Sequence, residues 1–263
     1  MIFELPEGQL DFVEKWPVMN SNDLAFILIS YLMFVLKIGP MIMEKRAPLQ
    51  LRGILIAYNM SKIINSGILT YKFFFYIVDK GLFPKKCNHD EVTLHVIAGL
   101  YWKYFATKLL DLMDTVFFIV RKKSSQVTFL HVYHHTFMVI ISWTSLKYDP
   151  SDHWAFMAVL NCFVHTSMYT YYCLAALGPS YAKYLWWKKY LTRMQLVQFV
   201  LVLGHVMLQT YRSQCPMHAV TYWVGCSNLF LFIILFADFY HKRYGKSRGL
   251  NAAEFVCTGQ SCD

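Results

Sequence analysis

Runs of roughly 20 mostly apolar residues, the length that crosses a hydrocarbon core, recur seven times along the chain. They cover residues 23–43, 52–78, 93–119, 127–146, 153–177, 187–210 and 218–240. The third and fourth are interrupted by polar positions. The connections are short and no internal repeat is visible, which predicts one all-α bundle over 1–244 and a flexible tail over 245–263. Span interiors have almost no Pro. A transporter of inverted repeats and broken helices would show both features.

The loops set an orientation. The N-terminal segment holds Glu4, Glu7, Asp11 and Glu14, and the first loop holds Lys45, Arg46 and Arg52. The second loop is balanced and the third is Arg121-Lys122-Lys123. The fourth is acidic at Asp149 and Asp152, and the fifth carries Lys183, Lys188 and Lys189. The sixth has Arg212 alone, and the tail is basic. By the positive-inside rule the N-terminus is lumenal and the C-terminus cytosolic. The net charge of +9 therefore reads as membrane orientation, not as nucleic-acid binding. No cleavable leader is expected, because the first 21 residues lack a basic segment ahead of an apolar one. Charged residues make up only 16% and aromatic residues 17%, which suits bilayer interfaces and apolar tunnels. Cys162, Cys173 and Cys226 fall in apolar runs and read as small buried hydrophobes. Cys87 and Cys215 fall in loops on the lumenal side, as a disulfide or as two free thiols.

Polar residues in four runs come to one depth. His131, His134 and His135 share a helical face at i, i+3 and i+4. Lys108, Asp111, Asp114 and Thr115 fit within about a third of a helix circumference. Asn161, His165, Met168 and Tyr172 form a stripe, and Lys188, Thr192, Gln195 and Gln198 lie on one side of the sixth run. One Lys and two Asp at this depth cost on the order of 8–10 kcal/mol on insertion scales, so they must face one another, water or substrate. For Gln195 and Gln198 a helix-gluing polar zipper is an equal reading. For Lys108 and Asp111, an orienting ion pair is as good a reading as direct chemistry.

Several chemistries fit an imidazole cluster. A di-iron site needs several histidine boxes, and this chain has one. Zinc held by His131, His135 and a carboxylate is a lesser alternative. Histidine can instead act as nucleophile or general base. An apolar bundle with a basic mouth suits a lipid-like substrate with an anionic head, such as a coenzyme A thioester, and so points to acyl transfer. A seven-span receptor predicts an acidic-Arg-Tyr triplet after the third run, where the chain reads Val120-Arg121-Lys122.

At these residues the chain resembles the elongases of very-long-chain fatty acids. The ordered motifs are Lys108-Leu-Leu-Asp111-Leu-Met-Asp114-Thr115, the HVYHH box at 131–135, and Asn161-xxx-His165-xx-Met168-Tyr169-x-Tyr171-Tyr172. Thr192-xx-Gln195-xx-Gln198-Phe199 follows. Flanking matches (Trp16-Pro17, Gly39-Pro40, Tyr58-Asn59, Phe239-Tyr240) extend the likeness over 16–244.

The resemblance implies a multi-pass endoplasmic reticulum enzyme, a 3-oxoacyl-CoA synthase, with seven transmembrane helices, six of them around a closed acyl tunnel. It implies malonyl-CoA and long-chain acyl-CoA as substrates, no metal and no redox cofactor. Its partners are a ketoreductase, a dehydratase and an enoyl reductase, with membrane lipid around it; a homo-dimer is compatible with it. On this reading His134 carries the acyl group, His165 and Asn161 hydrogen-bond the enolate, and His131 and His135 orient the site. Asp111 and Asp114 are expected to fix the tautomers of His131 and His135. Lys122, Lys123, Lys188, Lys189 and Arg193 are expected to bind CoA phosphates, with Gln195, Gln198, Tyr169 and Tyr172 beside them. An apolar tunnel measures chain length, since each buried CH₂ is worth about 0.8 kcal/mol. Tyr133, where some members carry Phe, is weakly associated with unsaturated substrates. Two departures stand out. The family usually has Glu at position 111, one methylene longer, and Gly259-Gln260-Ser261-Cys262-Asp263 lacks the dilysine-type retrieval signal of many members.

Overall fold

The computed structural model describes residues 11–83, 90–215 and 217–244. After a helical turn at Asp11–Glu14 come seven long helices: α1 Ser21–Glu44, α2 Arg52–Lys80, α3 Glu91–Val120, α4 Phe129–Tyr148, α5 Ala155–Ala176, α6 Lys188–Arg212 and α7 Ala219–Tyr244. Each coincides with one apolar run to within a few residues. No strand occurs among the described residues. By length and composition alone, three of these helices, α1, α6 and α7, are apolar enough to cross a membrane. The other four carry the buried polar residues described below.

Local chemistry sets the helix ends. Asn20, Asp90 and Thr128 each accept a backbone N–H of the first turn that follows them, capping α1, α3 and α4. Within α1 the chain widens to a π-turn over Phe34–Ile38, just before Pro40. Proline has no N–H to give and its ring crowds the preceding turn, so a widened turn relieves both. Past α5, Gly178 takes φ 106° and the Arg52 guanidinium donates to the Leu177 carbonyl, which ties the end of α5 to the start of α2.

Six helices close a ring by successive contact. α2 packs along α5 in the most extensive interface, α5 meets α6, α6 meets α7, α7 meets α4, α4 meets α3, and α3 returns to α2. α1 packs against α3 from outside the ring. Neighbours run antiparallel: Tyr58 near the start of α2 bonds the Leu110 carbonyl of α3, and Arg193 near the start of α6 meets Tyr240 near the end of α7. Arg46, Arg121, Lys122, Lys183, Lys188 and Lys189 thereby gather at one end. At the other end Trp102, Trp143 and Lys147 bond the carbonyls of Pro17, Val18 and Met19, so the N-terminal segment lies there.

Cys215 lies at that same end and is part of a disulfide. Cys87 and the tail 245–263 lie outside the described residues.

The outer surface is apolar. Phe26, Leu36, Phe74, Leu201, Trp223 and Phe230 are all exposed. A belt of this extent belongs in hydrocarbon, and the protein is a membrane protein. Gly39 lies at a close approach of α1 to α3: an added Cβ would lie 2.9 Å from Ile119 Cγ2 and 2.8 Å from the Phe34 carbonyl. Gly39→Val is expected to cost about 1–3 kcal/mol by overpacking. Gly67→Ala, with nothing within 4 Å, should gain up to about 1 kcal/mol from helix propensity. Thermal unfolding in detergent micelles reads both signs.

Candidate active site

Two polar clusters lie inside the ring. The first is a charge network centred on Asp111. Lys62, from α2, pairs with Asp111 Oδ1 and donates to the Thr107 carbonyl at 2.9 Å. Lys108 lies 3.4 Å from Asp111 Oδ2 and donates to Asn161 Oδ1 at 2.5 Å. It also lies 3.4 Å from His165 Nε2, while His165 Nδ1 faces Asp111 Oδ2 at 3.6 Å. These neighbours favour the tautomer with the proton on Nδ1. Tyr104 donates to the same Asn161 oxygen at 3.0 Å. With that oxygen accepting two bonds, the hydrogens on Asn161 Nδ2 are what the side chain has left to offer. The Tyr169 hydroxyl lies 2.9 Å from Asp111 and 2.6 Å from Asp114, and its one proton serves one carboxylate at a time.

The second cluster is the histidine box. Thr128 caps α4 on the backbone of His131, which anchors the turn that carries the box. His131 Nε2 is 2.9 Å from Thr115 Oγ1, which in turn meets the Tyr31 hydroxyl at 2.8 Å. The His131 and His135 rings are 4.2 Å apart, and those of His134 and His135 5.5 Å. His134 packs edge-on against Phe232 and Phe236 of α7 and has no hydrogen bond among the described residues. The helix places it at i+3 from His131, turned toward α7, while His131 faces α3.

An apolar cavity extends from this region toward the end that holds the N-terminal segment. Asn161, Gln198 and Phe232 line it near the two clusters, and Ser145, Trp154 and Gly225 line it farthest away. Ser145 is eleven residues beyond His134, about 16 Å along α4. There the Trp154 ring presses on Gly225, where an added Cβ would lie 2.5 Å from Cη2. A hydrogen bond of 2.6 Å from Tyr133 to Asn228 braces α4 against α7 across the seam beside the cavity.

The expected residues separate accordingly. Lys108, Asp111, Asp114, Asn161, His165 and Tyr169 meet in the first cluster, and His131, His134 and His135 in the second. Two expectations shift. The carboxylates of Asp111 and Asp114 engage lysines, Tyr169 and His165, whereas Thr115 holds His131. On the α5 stripe, Tyr169 reaches the network while Tyr172 is partly exposed beside Tyr171. Gln198 lines the cavity, and Gln195 contacts Met168 Sδ at 3.6 Å instead.

The basic candidates lie at the charged end. Lys122 is in the left-handed region at φ 56° and donates to the Glu44 carbonyl, with Lys123 next to it. Lys188 lies over Tyr171, Lys189 over Tyr190, and Arg193 donates to the Tyr240 hydroxyl at 2.7 Å. Among the described residues no three His, Cys, Asp or Glu side chains are grouped to hold a metal ion. Sequence reasoning passed over Lys62, Tyr104 and Tyr31. The available signal for Lys62 was a charge ten residues inside an apolar run.

A family model described as the GNS1/SUR4 family (ELO) matches residues 16–252. A very long chain fatty acid elongase of Aedes aegypti is 38% identical over 247 residues, covering 91% of this chain and 68% of the relative. Very long chain fatty acid elongase 4 of Homo sapiens is 38% identical over 256 residues, 95% of this chain and 81% of the relative. Very long chain fatty acid elongase 7 of Drosophila melanogaster is 37% identical over 253 residues, 94% and 76% respectively.

The charge network has a measurable cost of disruption. Asp111→Asn removes the carboxylate shared by two buried lysines and is expected to destabilise the fold by about 3–5 kcal/mol. Asp238→Asn breaks only the exposed pair with Lys242 at 2.8 Å and should change stability by less than about 1 kcal/mol. Thermal midpoints of the two variants in the same detergent make the comparison.

Proposed function

This chain belongs to the GNS1/SUR4 family, and we propose that it is the condensing enzyme of a fatty-acid elongation cycle. It joins a long-chain acyl-CoA to malonyl-CoA, taking up one proton and releasing carbon dioxide and CoA, to give a 3-oxoacyl-CoA two carbons longer. The observation that carries this reading is His134. It is an imidazole unengaged by hydrogen bonds among the described residues, set against Phe232, which lines the apolar cavity.

In the first half-reaction a ring nitrogen of His134 attacks the thioester carbonyl. The C–S bond breaks, CoA leaves as the thiol, and an acyl-imidazole remains with its chain in the cavity. In the second, malonyl-CoA loses carbon dioxide to form a thioester enolate. The Asn161 amide hydrogens serve the enolate oxygen, with Lys108 holding the Asn161 oxygen and His165 and Asp111 holding Lys108 in place. The enolate carbon attacks the acyl carbonyl, the N–acyl bond breaks, and the departing imidazole nitrogen takes up the one proton of the overall reaction, which restores neutral His134. The reaction so written calls for no resident metal or redox cofactor.

The basic end serves as the mouth for the CoA phosphates, with Lys122, Lys123, Lys188, Lys189 and Arg193 as contacts. On this reading all seven helices span the endoplasmic reticulum membrane, the basic end is cytosolic and the N-terminus lumenal. The disulfide at Cys215 supports an oxidising compartment on that side. A ketoreductase, a dehydratase and an enoyl reductase would act on the product in turn.

Purified protein in liposomes should transfer label from malonyl-CoA into 3-oxoacyl-CoA with at least one member of an acyl-CoA panel. His134→Ala should lower that rate by about 100-fold or more. With acyl-CoA alone, intact-protein mass spectrometry should show a hydroxylamine-sensitive acyl adduct that His134→Ala lacks; an adduct retained in the variant would overturn the role of His134. Trp154→Ala, by opening the cavity floor beneath Gly225, should shift products toward longer chains, read as the length distribution by mass spectrometry.

A further inference from the structure

Asp111 carries more than its short side chain can serve alone. Its Oδ2 is 3.4 Å from Lys108 Nζ and 3.6 Å from His165 Nδ1, both beyond the roughly 2.7–2.9 Å of a strong charge-assisted hydrogen bond. The carboxylate points at both groups and falls short of both. What fixes it lies on its other oxygen. Lys62 pairs with Oδ1, and the Tyr169 hydroxyl lies 2.9 Å from the same atom. Lys62 comes from a different helix and is fully buried. It sits ten residues into α2, about 15 Å from the helix start. An ammonium at that depth is costly, which marks it as functional by default. Its ammonium also donates to the Thr107 carbonyl and lies 5.3 Å from the centre of the Tyr169 ring. With Lys108 and Asp114 it completes a set of two cations and two carboxylates.

We infer that Lys62 is a positioning residue for the condensation: by clamping one oxygen of Asp111 it aims the other at Lys108 and His165. This rests on the condensing-enzyme reading. The clamp makes up in position for what Asp111 lacks in reach. A carboxylate one methylene longer would close the gaps to Lys108 and His165 without a clamp. With the clamp in place, however, the longer side chain would be driven against Lys62 and Tyr169. The requirement for Lys62 is therefore conditional on Asp at position 111.

The conditional requirement sets the test, a double-mutant cycle on the full chain in liposomes. Lys62→Met should lower kcat by about 10-fold or more with KM for both CoA substrates nearly unchanged, and Asp111→Glu alone should also lower kcat. The double variant, K62M with D111E, should recover to within about threefold of the parent, a reversal of sign that independent losses do not produce. Lys72→Met, exposed on the same helix, should leave the rate as it is. A K62M protein with the parent's kcat, or a folded double variant no faster than K62M, would overturn the inference. A parent protein inactive on every acyl-CoA would instead count against the condensing-enzyme reading. The thermal midpoints then decide on the clamp. A double variant that melts above both single variants supports it, and additive losses overturn it.

Discussion

The interior of this protein is organised around one carboxylate that must neutralise two buried lysines. Asp111 faces Lys62 from α2 and Lys108 from its own helix, and through Lys108 it is tied to Asn161 and His165 of α5. In hydrocarbon there is no water to solvate an unpaired charge, so these helices have little freedom to slide past one another. The extensive packing of α2 on α5 and the antiparallel contact of α2 with α3 place the three partners at one depth. Arg52 ties the same two helices at their ends through the Leu177 carbonyl.

That constraint divides the imidazoles by task. His165 is held at both nitrogens by charged neighbours, and His131 is held by Thr115, which Tyr31 in turn meets. His134, one turn farther along the same face, is held by aromatic packing alone. Packing fixes where a ring sits without occupying its nitrogens, which suits a group that makes and breaks a covalent bond. The network likewise occupies the Asn161 oxygen and leaves its amide hydrogens for a substrate. The polar cluster thus leaves a small set of uncommitted donors, and the His134 ring without a hydrogen bond among the described residues, next to an apolar cavity.

The fold distributes polarity the opposite way from a water-soluble bundle. Its outer faces are largely apolar, the charges in its interior are paired, its basic loops gather at one end, and its cavity is greasy over most of its length. The far end of the cavity owes its shape to a large residue meeting the smallest one: Trp154 rests where Gly225 has no side chain. A long alkyl chain would gain burial along such a cavity roughly in proportion to the methylenes it encloses.

Helix number and limits were legible in the chain, because a run of apolar residues bounded by charges is a one-dimensional signal. The facing of Lys108, Asp111, Asp114 and Thr115 inward was legible too, since helical periodicity projects them onto one side and all four are buried. The four motifs also marked the family. What periodicity does not carry is the distance between side chains on different helices. Lys62 shares a polar stripe with Asn59 and Ser66 on α2, but that stripe does not say which helix it faces, and only the packing of α2 beside α3 brings Lys62 to Asp111. The same limit explains why Thr115, and not a carboxylate, came to hold His131. It explains why Tyr169, not Tyr172, reached the network: a small rotation of α5 decides between near neighbours on one face. The sequence by itself determined which faces are polar and at what depth. The tertiary structure decided which partners meet, because ion pairs and hydrogen bonds depend on ångström-scale separations that only helix packing sets.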